Sequence, residues 1–275
     1  MTRTVCFGDN TIDRYLRPVG RDLVGGSCVN VAVGLRRSCI AASYVGPVGD
    51  DPAGAQVLTE IAAHGVDTSY VAVVPGVATA VTEIVLLPRG ERRFVSELYE
   101  IFDSYQPNAD AWASVTSASN VHTSRFSHLF DRLRAAARKD GFSLSCDFST
   151  SEPPPDLDGL DLAFRSAGES RDAEHAITLA AAALERGAVS AVVTLGEAGS
   201  VALTADGSTW QDAVEVESVV DTCGAGDAFI AGYLGRWLRG AAIADCLAAG
   251  AEAGARACTM VGAFPQAGAP AESRR

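Results

Sequence analysis

Short apolar runs alternate with segments of helical period along most of this chain, and no other feature limits its fold so tightly. A parallel sheet needs a crossover for each return and helices on both faces, so the alternation predicts a doubly wound α/β sheet. TVCFG (4–8) ends in glycine, and GGSCVNVAVGLRR then offers Ser27 as the N-cap of a small-residue helix. ASYVG (42–46) is the next strand. DDPAGAQVLTEIAAHGV follows as a helix with Asp51 at its N-cap, Pro52 at its first position and Gly65 at its exit.

The rhythm breaks twice. DNTIDRYLRPVGRDLV alternates weakly around a Pro-Val-Gly turn, and TAVTEIVLL and RRFVSEL flank the turn PRGE, so hairpins are expected at 11–24 and 79–98. Such hairpins are able to pair as a small separate sheet. From SNVHTS onward the alternation returns, with FSHLFDRLRAAARKDG and DAEHAITLAAAALERG as helices and SLSCDF, LDLAFRS and SAVVTLG as strands. Ligands of such sheets bind at the carboxyl ends of the strands. The tail PQAGAPAESRR, 265–275, is small and polar and is expected to fray.

Composition removes several classes of function. The 275 residues carry a formal net charge of −12, which argues against binding to nucleic acid or an anionic membrane. No apolar run is long enough to span a membrane, and MTRTVCFGDN lacks the apolar stretch of a signal peptide, so a cytoplasmic location is expected. The 7 cysteines are scattered without a CxxC pair, and the 4 histidines lack metal-site spacing.

Chemistry concentrates in DTCGAGDAFIAGYL (221–234). Upstream, AVEVESVVD reads as a strand. Downstream, Phe229, Ile230, Tyr233, Leu234, Trp237 and Leu238 form one apolar stripe of a helix. A helix start leaves N–H groups unpaired, so Gly224, Ala225 and Gly226 are placed to hold an anion beside Asp227. Asp227 serves either to complement the helix dipole or as a general base that accepts the proton of an attacking hydroxyl. The second reading is phosphoryl transfer, which asks mostly for positioning and charge stabilisation. No GxxxxGK[ST] occurs and no GxGxxG follows the first strand, which excludes a P-loop and speaks against a Rossmann dinucleotide site.

DTCGAGDAFIAGYL resembles the carboxy-terminal signature of the PfkB (ribokinase-like) carbohydrate kinase family. The similarity runs over roughly 4–264 through GDNTIDRY, GGSCVNVAV, VGPVGDDPAG, VVTLGEAGS and VGAF. It implies a ribokinase-like, doubly wound, mainly parallel sheet with a small antiparallel β lid. The core would comprise 1–10, 25–78 and 99–264, and the lid 11–24 and 79–98. It also implies ATP as phosphate donor, Mg2+, K+, and a sugar whose primary hydroxyl is phosphorylated. GDNTID, GGSCVNVAV and VGDD are most similar to the fructoselysine kinase branch, which favours a fructosamine; ribose, fructose or another ketose is the alternative.

By position, the resemblance makes Asp227 the catalytic base and Gly224, Ala225 and Gly226 the anion hole. It sets Asp13, Gly25, Gly26 and Asn30 around the sugar, and Thr194, Gly196 and Gly199 on the nucleotide side, although a plain hairpin wants the same glycines. Glu169 corresponds to a residue supporting magnesium through water, with Ser166 where the family has asparagine. Asp221 corresponds to a position beside a monovalent cation, or else organises the following turn. In the lid, Glu83, Arg93 and Glu100 either face substrate or are solvated strand charges, and two lids pairing would make a homodimer. Cys223, at a helix N-terminus, is expected to have a lowered pKa and to be alkylated with loss of activity. A silent sugar or nucleotide sensor and a Cys223 thiol hydrolase are the readings from other classes.

Overall fold

The computed structural model describes residues 3–125 and 127–271. Its first strand, β1 (Arg3–Phe7), leads into a hairpin of β2 (Thr11–Tyr15) and β3 (Arg21–Gly25), then into α1 (Ser27–Arg37) and β4 (Ala41–Val45). A short β5 (Pro47–Gly49) precedes α2 (Pro52–Ala63) and its partner β6 (Ala72–Val74). The second hairpin is β7 (Val81–Leu86) and β8 (Arg92–Leu98). Alternation resumes with α3 (Ala109–Thr116), β9 (Asn120–Ser124), α4 (Phe130–Asp140), β10 (Ser143–Asp147), β11 (Leu162–Ser166), α5 (Ala173–Glu185) and β12 (Ser190–Thr194). The chain closes with β13 (Ser200–Thr204), β14 (Gly207–Gln211), α6 (Ala225–Trp237), α7 (Ile243–Ala257) and β15 (Ala269–Pro270).

The main sheet has the order β14-β13-β12-β11-β10-β9-β1-β4, parallel from β12 to β4 and antiparallel at β13 and β14. Successive strand residues point to opposite faces, which divides the core. Val5 and Phe7 join Val115, Leu133 and Ala180 under α3, α4 and α5. Cys6 joins Val31, Leu35, Ile61, Leu234 and Leu247 under α1, α2, α6 and α7. The fold is thus doubly wound, as the alternation predicts.

The second sheet has the order β15-β3-β2-β7-β8. Each hairpin is antiparallel, while the junction between them, β2 with β7, is parallel. Its outermost strand, β8, is an edge. Phe94, Val95 and Leu98 on that strand are each about half exposed. Among the described residues no helix is long and apolar enough to cross a membrane.

Four local expectations need correction. AVEVESVVD forms no strand: 213–221 is irregular, and Val220 N and Thr222 N donate to Cys258 O and Gly90 O instead of to a sheet neighbour. Alternation gives a segment two faces, but only a free neighbouring strand makes it part of a sheet. The N-cap of α1 is Gly26, at φ 98, because Asp9 at the end of β1 accepts from Ser27 N at 2.6 Å and Cys28 N at 3.4 Å. An incoming carboxylate does what the Ser27 hydroxyl was expected to do. The helix expected from Phe126 starts at Phe130, and Phe126 itself lies outside the described residues. Finally, the tail is pinned through 271, since β15 pairs with β3 and Gln266 bonds both Val24 N and Val24 O; 272–275 lie outside the described residues.

Asp51 caps α2 as expected, accepting from Gly54 N at 2.7 Å, and Gly65 exits at φ 77. All 7 cysteines are free. Five are buried, Cys258 is half-buried, and Cys39 is exposed at φ 58 just past the C-terminus of α1.

Candidate active site

The first turns of α1 and α6 meet above the carboxyl ends of the parallel strands. The two helices approach closely because Gly34 faces Ala231, where an added Cβ would lie 2.4 Å from the Ala231 Cβ. That contact brings Asn30 to Asp227, with Asn30 Nδ2 donating to Asp227 Oδ2 at 2.7 Å. Burial lifts the Asp227 carboxyl to about 6, and the bond from Asn30 opposes the rise.

At the start of α6, Gly224 adopts φ 70, and a Cβ there would lie 2.2 Å from the Ala263 Cβ. Only glycine fits. Ala225 N reaches Thr222 O at 3.3 Å, whereas the N–H groups of Gly226 and Asp227 have no acceptor among the described residues. Gly226 is exposed, and a Cβ on it would meet nothing within 4 Å. Open space in front of unpaired helix-start amides is the geometry of an anion site.

Opposite lies a cluster of polar side chains carried by β2, α1 and the loop after β1. Asp13 is 5 % exposed, and burial pushes its carboxyl to about 7. Gly25 is required there, since a Cβ would fall 2.2 Å from Asp13 Oδ2; at Gly26 it would fall 2.5 Å from Asn10 Cα. Asn10 Nδ2 donates to Tyr44 Oη and Pro47 O. The side-chain oxygens of Asn10 and Asn30 are buried without a partner among the described residues. Buried polar atoms are seldom left so, and hydroxyls of a bound polyol would satisfy both.

Asp147, at the tip of β10, accepts from Ser149 N at 2.8 Å and is lifted to about 7 by burial, then by the charge of Asp227. Asp9 also accepts from the Ser124 hydroxyl at 2.6 Å. The residues missed in the sequence are therefore Asp9, Asn10, Asp147 and, from the second sheet, Arg92, whose charge lowers the Asp13 and Asp227 carboxyls. Asp9, Asn10 and Asp147 follow or end strands of the main sheet, a position that marked them as candidates. Arg92 gave no signal, being one of two adjacent arginines.

The other expected residues take varied positions. Thr194 is in register with Ser166 on β11, and Ala167 N donates to Thr194 O. Gly196 (φ 59) and Gly199 (φ 96) shape the β12–β13 turn. Glu169 and Glu100 are exposed, as is Arg93, while Glu83 is buried and accepts from the Ser96 hydroxyl. Asp221 is fully buried and accepts from Tyr15 Oη, Cys223 N and Gly262 N, a donor set that organises the turn into α6. Cys223 reverses its expectation: burial, with the Asp13 charge, pushes its thiol up, so it is not an activated thiol.

No group of three or more His, Cys, Asp or Glu among the described residues is arranged to hold a metal. Mg2+ carried on substrate phosphates needs only one or two carboxylates and water, which Asp147 and Asp227 fit.

The sequence profile of pfkB family carbohydrate kinases matches residues 1–267. The chain is 33% identical to a fructoselysine 6-kinase of Shigella flexneri over 268 residues, covering 96% of this chain and 100% of that one. It is 30% identical to a fructosamine kinase of Bacillus subtilis, with 95% and 93% covered. Among solved structures, Arabidopsis thaliana ribokinase complexed with ribose and ATP superposes with TM-score 0.84 at 22% identity, covering 95% of this chain and 94% of that one. A microbiome-derived acarbose kinase gives TM-score 0.79 at 23% identity, with 96% and 95% covered.

Proposed function

The chain belongs to the pfkB family of carbohydrate kinases, and from that premise we propose that it transfers the γ-phosphate of ATP to a primary hydroxyl of a fructosamine, with fructoselysine the favoured acceptor. The acceptor reading rests on the fructoselysine and fructosamine kinases that the chain resembles along nearly their whole length. The carrying observation is the Asn30–Asp227 bond beside amides of α6 and amide oxygens of Asn10 and Asn30 that have no partner among the described residues.

The chemistry follows from those positions. Asn30 holds Asp227 through one carboxylate oxygen, the Ser27 hydroxyl lies within reach of the same carboxylate, and Asp227 takes the proton of the acceptor hydroxyl. The hydroxyl oxygen bonds to the γ-phosphorus while the bond to the bridging oxygen breaks, and its electron pair departs with ADP. Amides of Gly226 and Asp227 donate to the phosphoryl oxygens in flight. Asp13, near 7, can donate to or accept from a sugar hydroxyl, next to Asn10 and Asn30. Mg2+, when bound, would neutralise phosphate charge near Asp147. A reducing cytoplasm suits the free thiols.

An ADP-coupled assay across fructoselysine, fructose, ribose and 2-keto-3-deoxygluconate tests the acceptor. Asp227→Asn should keep the fold and nucleotide affinity yet lower kcat by at least about 10²-fold, the scale of a lost general base. Turnover near that of the wild type in this variant would remove Asp227 from the role.

A further inference from the structure

The site gathers the carboxylates of Asp9, Asp13, Asp147 and Asp227, and a triphosphate would add more negative charge to it. Lysine cannot balance that charge. Lys139 is the sole lysine of the chain, and it sits near the C-terminal end of α4, away from the carboxyl ends of the strands. Beside Mg2+, the side-chain cation has to be an arginine. Arg125 acts on Asp147, while the charge of Arg92 reaches both Asp13 and Asp227.

Arg92 is brought there by a latch. The turn between β7 and β8 lies against the segment that leads into α6, where Gly90 O accepts from Thr222 N at 3.0 Å and from Thr222 Oγ1 at 3.2 Å. Gly90 has φ 76, and a Cβ there would come within 2.7 Å of Val219. Glycine is needed for the close approach. Arg92 Nη1 then donates to Thr222 Oγ1 at 3.1 Å, two residues before the N-cap of α6. Phe94 supports the guanidinium, which lies 5.4 Å from the ring centroid.

We propose that Arg92 is a catalytic residue, delivered by the second sheet, whose guanidinium donates to the phosphoryl group in flight across from the amides of α6. One donor anchors it to Thr222, and the rest of the planar fork matches two oxygens of a phosphate. Arg92 neither gains nor loses a proton. It adds charge stabilisation to a transfer in which Asp227 alone takes the hydroxyl proton, and so it rests on the reading of Asp227 given above.

Steady-state kinetics of Arg92→Gln, Arg92→Lys, Thr222→Val and Arg93→Gln test this, using whichever acceptor the wild type phosphorylates. A wrong acceptor would then sink the proposed substrate and leave this test intact. Arg92→Gln should lower kcat about 10²–10³-fold, the cost of a lost transition-state donor. Lysine should restore part of it, Thr222→Val should lose under about tenfold, and Arg93→Gln, altered on the neighbouring exposed position of β8, should match the wild type. The pH profile separates contact from scaffolding. Asp227 is faced by Asp9, Asp13 and Asp147 as well as Arg92, so removing the cation should move the acid limb of kcat/KM to higher pH. Near-normal kcat in Arg92→Gln overturns the proposal, as do equal losses in Arg92→Gln and Thr222→Val with an unmoved acid limb.

Discussion

Gly224 and Gly226 lie two residues apart and need to be glycine for different reasons. At Gly224 the backbone is left-handed and Ala263 occupies the place of a side chain, so Gly224→Ala should destabilise the fold by a few kcal/mol. At Gly226 no atom among the described residues lies within 4 Å of where a Cβ would stand. Gly226→Ala should therefore keep or slightly raise Tm, since alanine favours helix, while kcat/KM falls because the methyl group fills the space of the phosphate. Paired melting curves and assays check both. A Gly226→Ala enzyme that is fully active would show that this space is not where phosphate sits.

At the scale of elements, β8 is the exposed edge of the second sheet, carrying Phe94, Val95 and Leu98. We propose that it pairs with its counterpart in a second copy, because an unpaired apolar edge is self-complementary about a two-fold axis. Light scattering should give a dimer for the wild type and a monomer for Phe94→Lys. A monomeric wild type overturns the pairing. The elements also show what was legible in the sequence. The alternation sufficed for the main sheet, and Pro-Val-Gly and PRGE for both hairpins, because turn chemistry and period are local properties. The parallel β2–β7 junction was not legible, since it depends on where the intervening chain returns. Likewise Val214 and Val216 promised a strand at 213–221 that no neighbour was free to receive. In the site, Gly224 and Asp227 were legible from spacing, whereas Arg92 owes its place to the Gly90–Thr222 contact across 132 residues.

For the whole molecule, function and stability should respond to acid in opposite senses. Burial raises Asp13 and Asp147 to about 7 and Asp227 to about 6, so the folded state holds protons that the unfolded chain releases down to about pH 4. Their contribution is present at low pH and lost as pH climbs through 6 to 7. His122, held down to about 3 by burial, opposes them only below about 6.5, where the unfolded imidazole takes up a proton. Each proton bound on folding is worth about 1.4 kcal/mol per pH unit, so Tm of the unliganded enzyme should rise by a few degrees from pH 8 to pH 6. Catalysis needs ionised Asp227, so kcat/KM should fall over the same interval. A melting temperature that is flat or falling on acidification would show that these carboxyls ionise freely.

Cys39 emerges at the far end of α1, while every other thiol of the chain is buried or half-buried. A maleimide dye should thus attach at one position, on the side of the main sheet opposite its strand tips, and leave the reaction centre unmodified. The natural chain carries its own fluorescent tagging point, and acceptor or nucleotide binding can be followed by anisotropy or energy transfer without first engineering a cysteine.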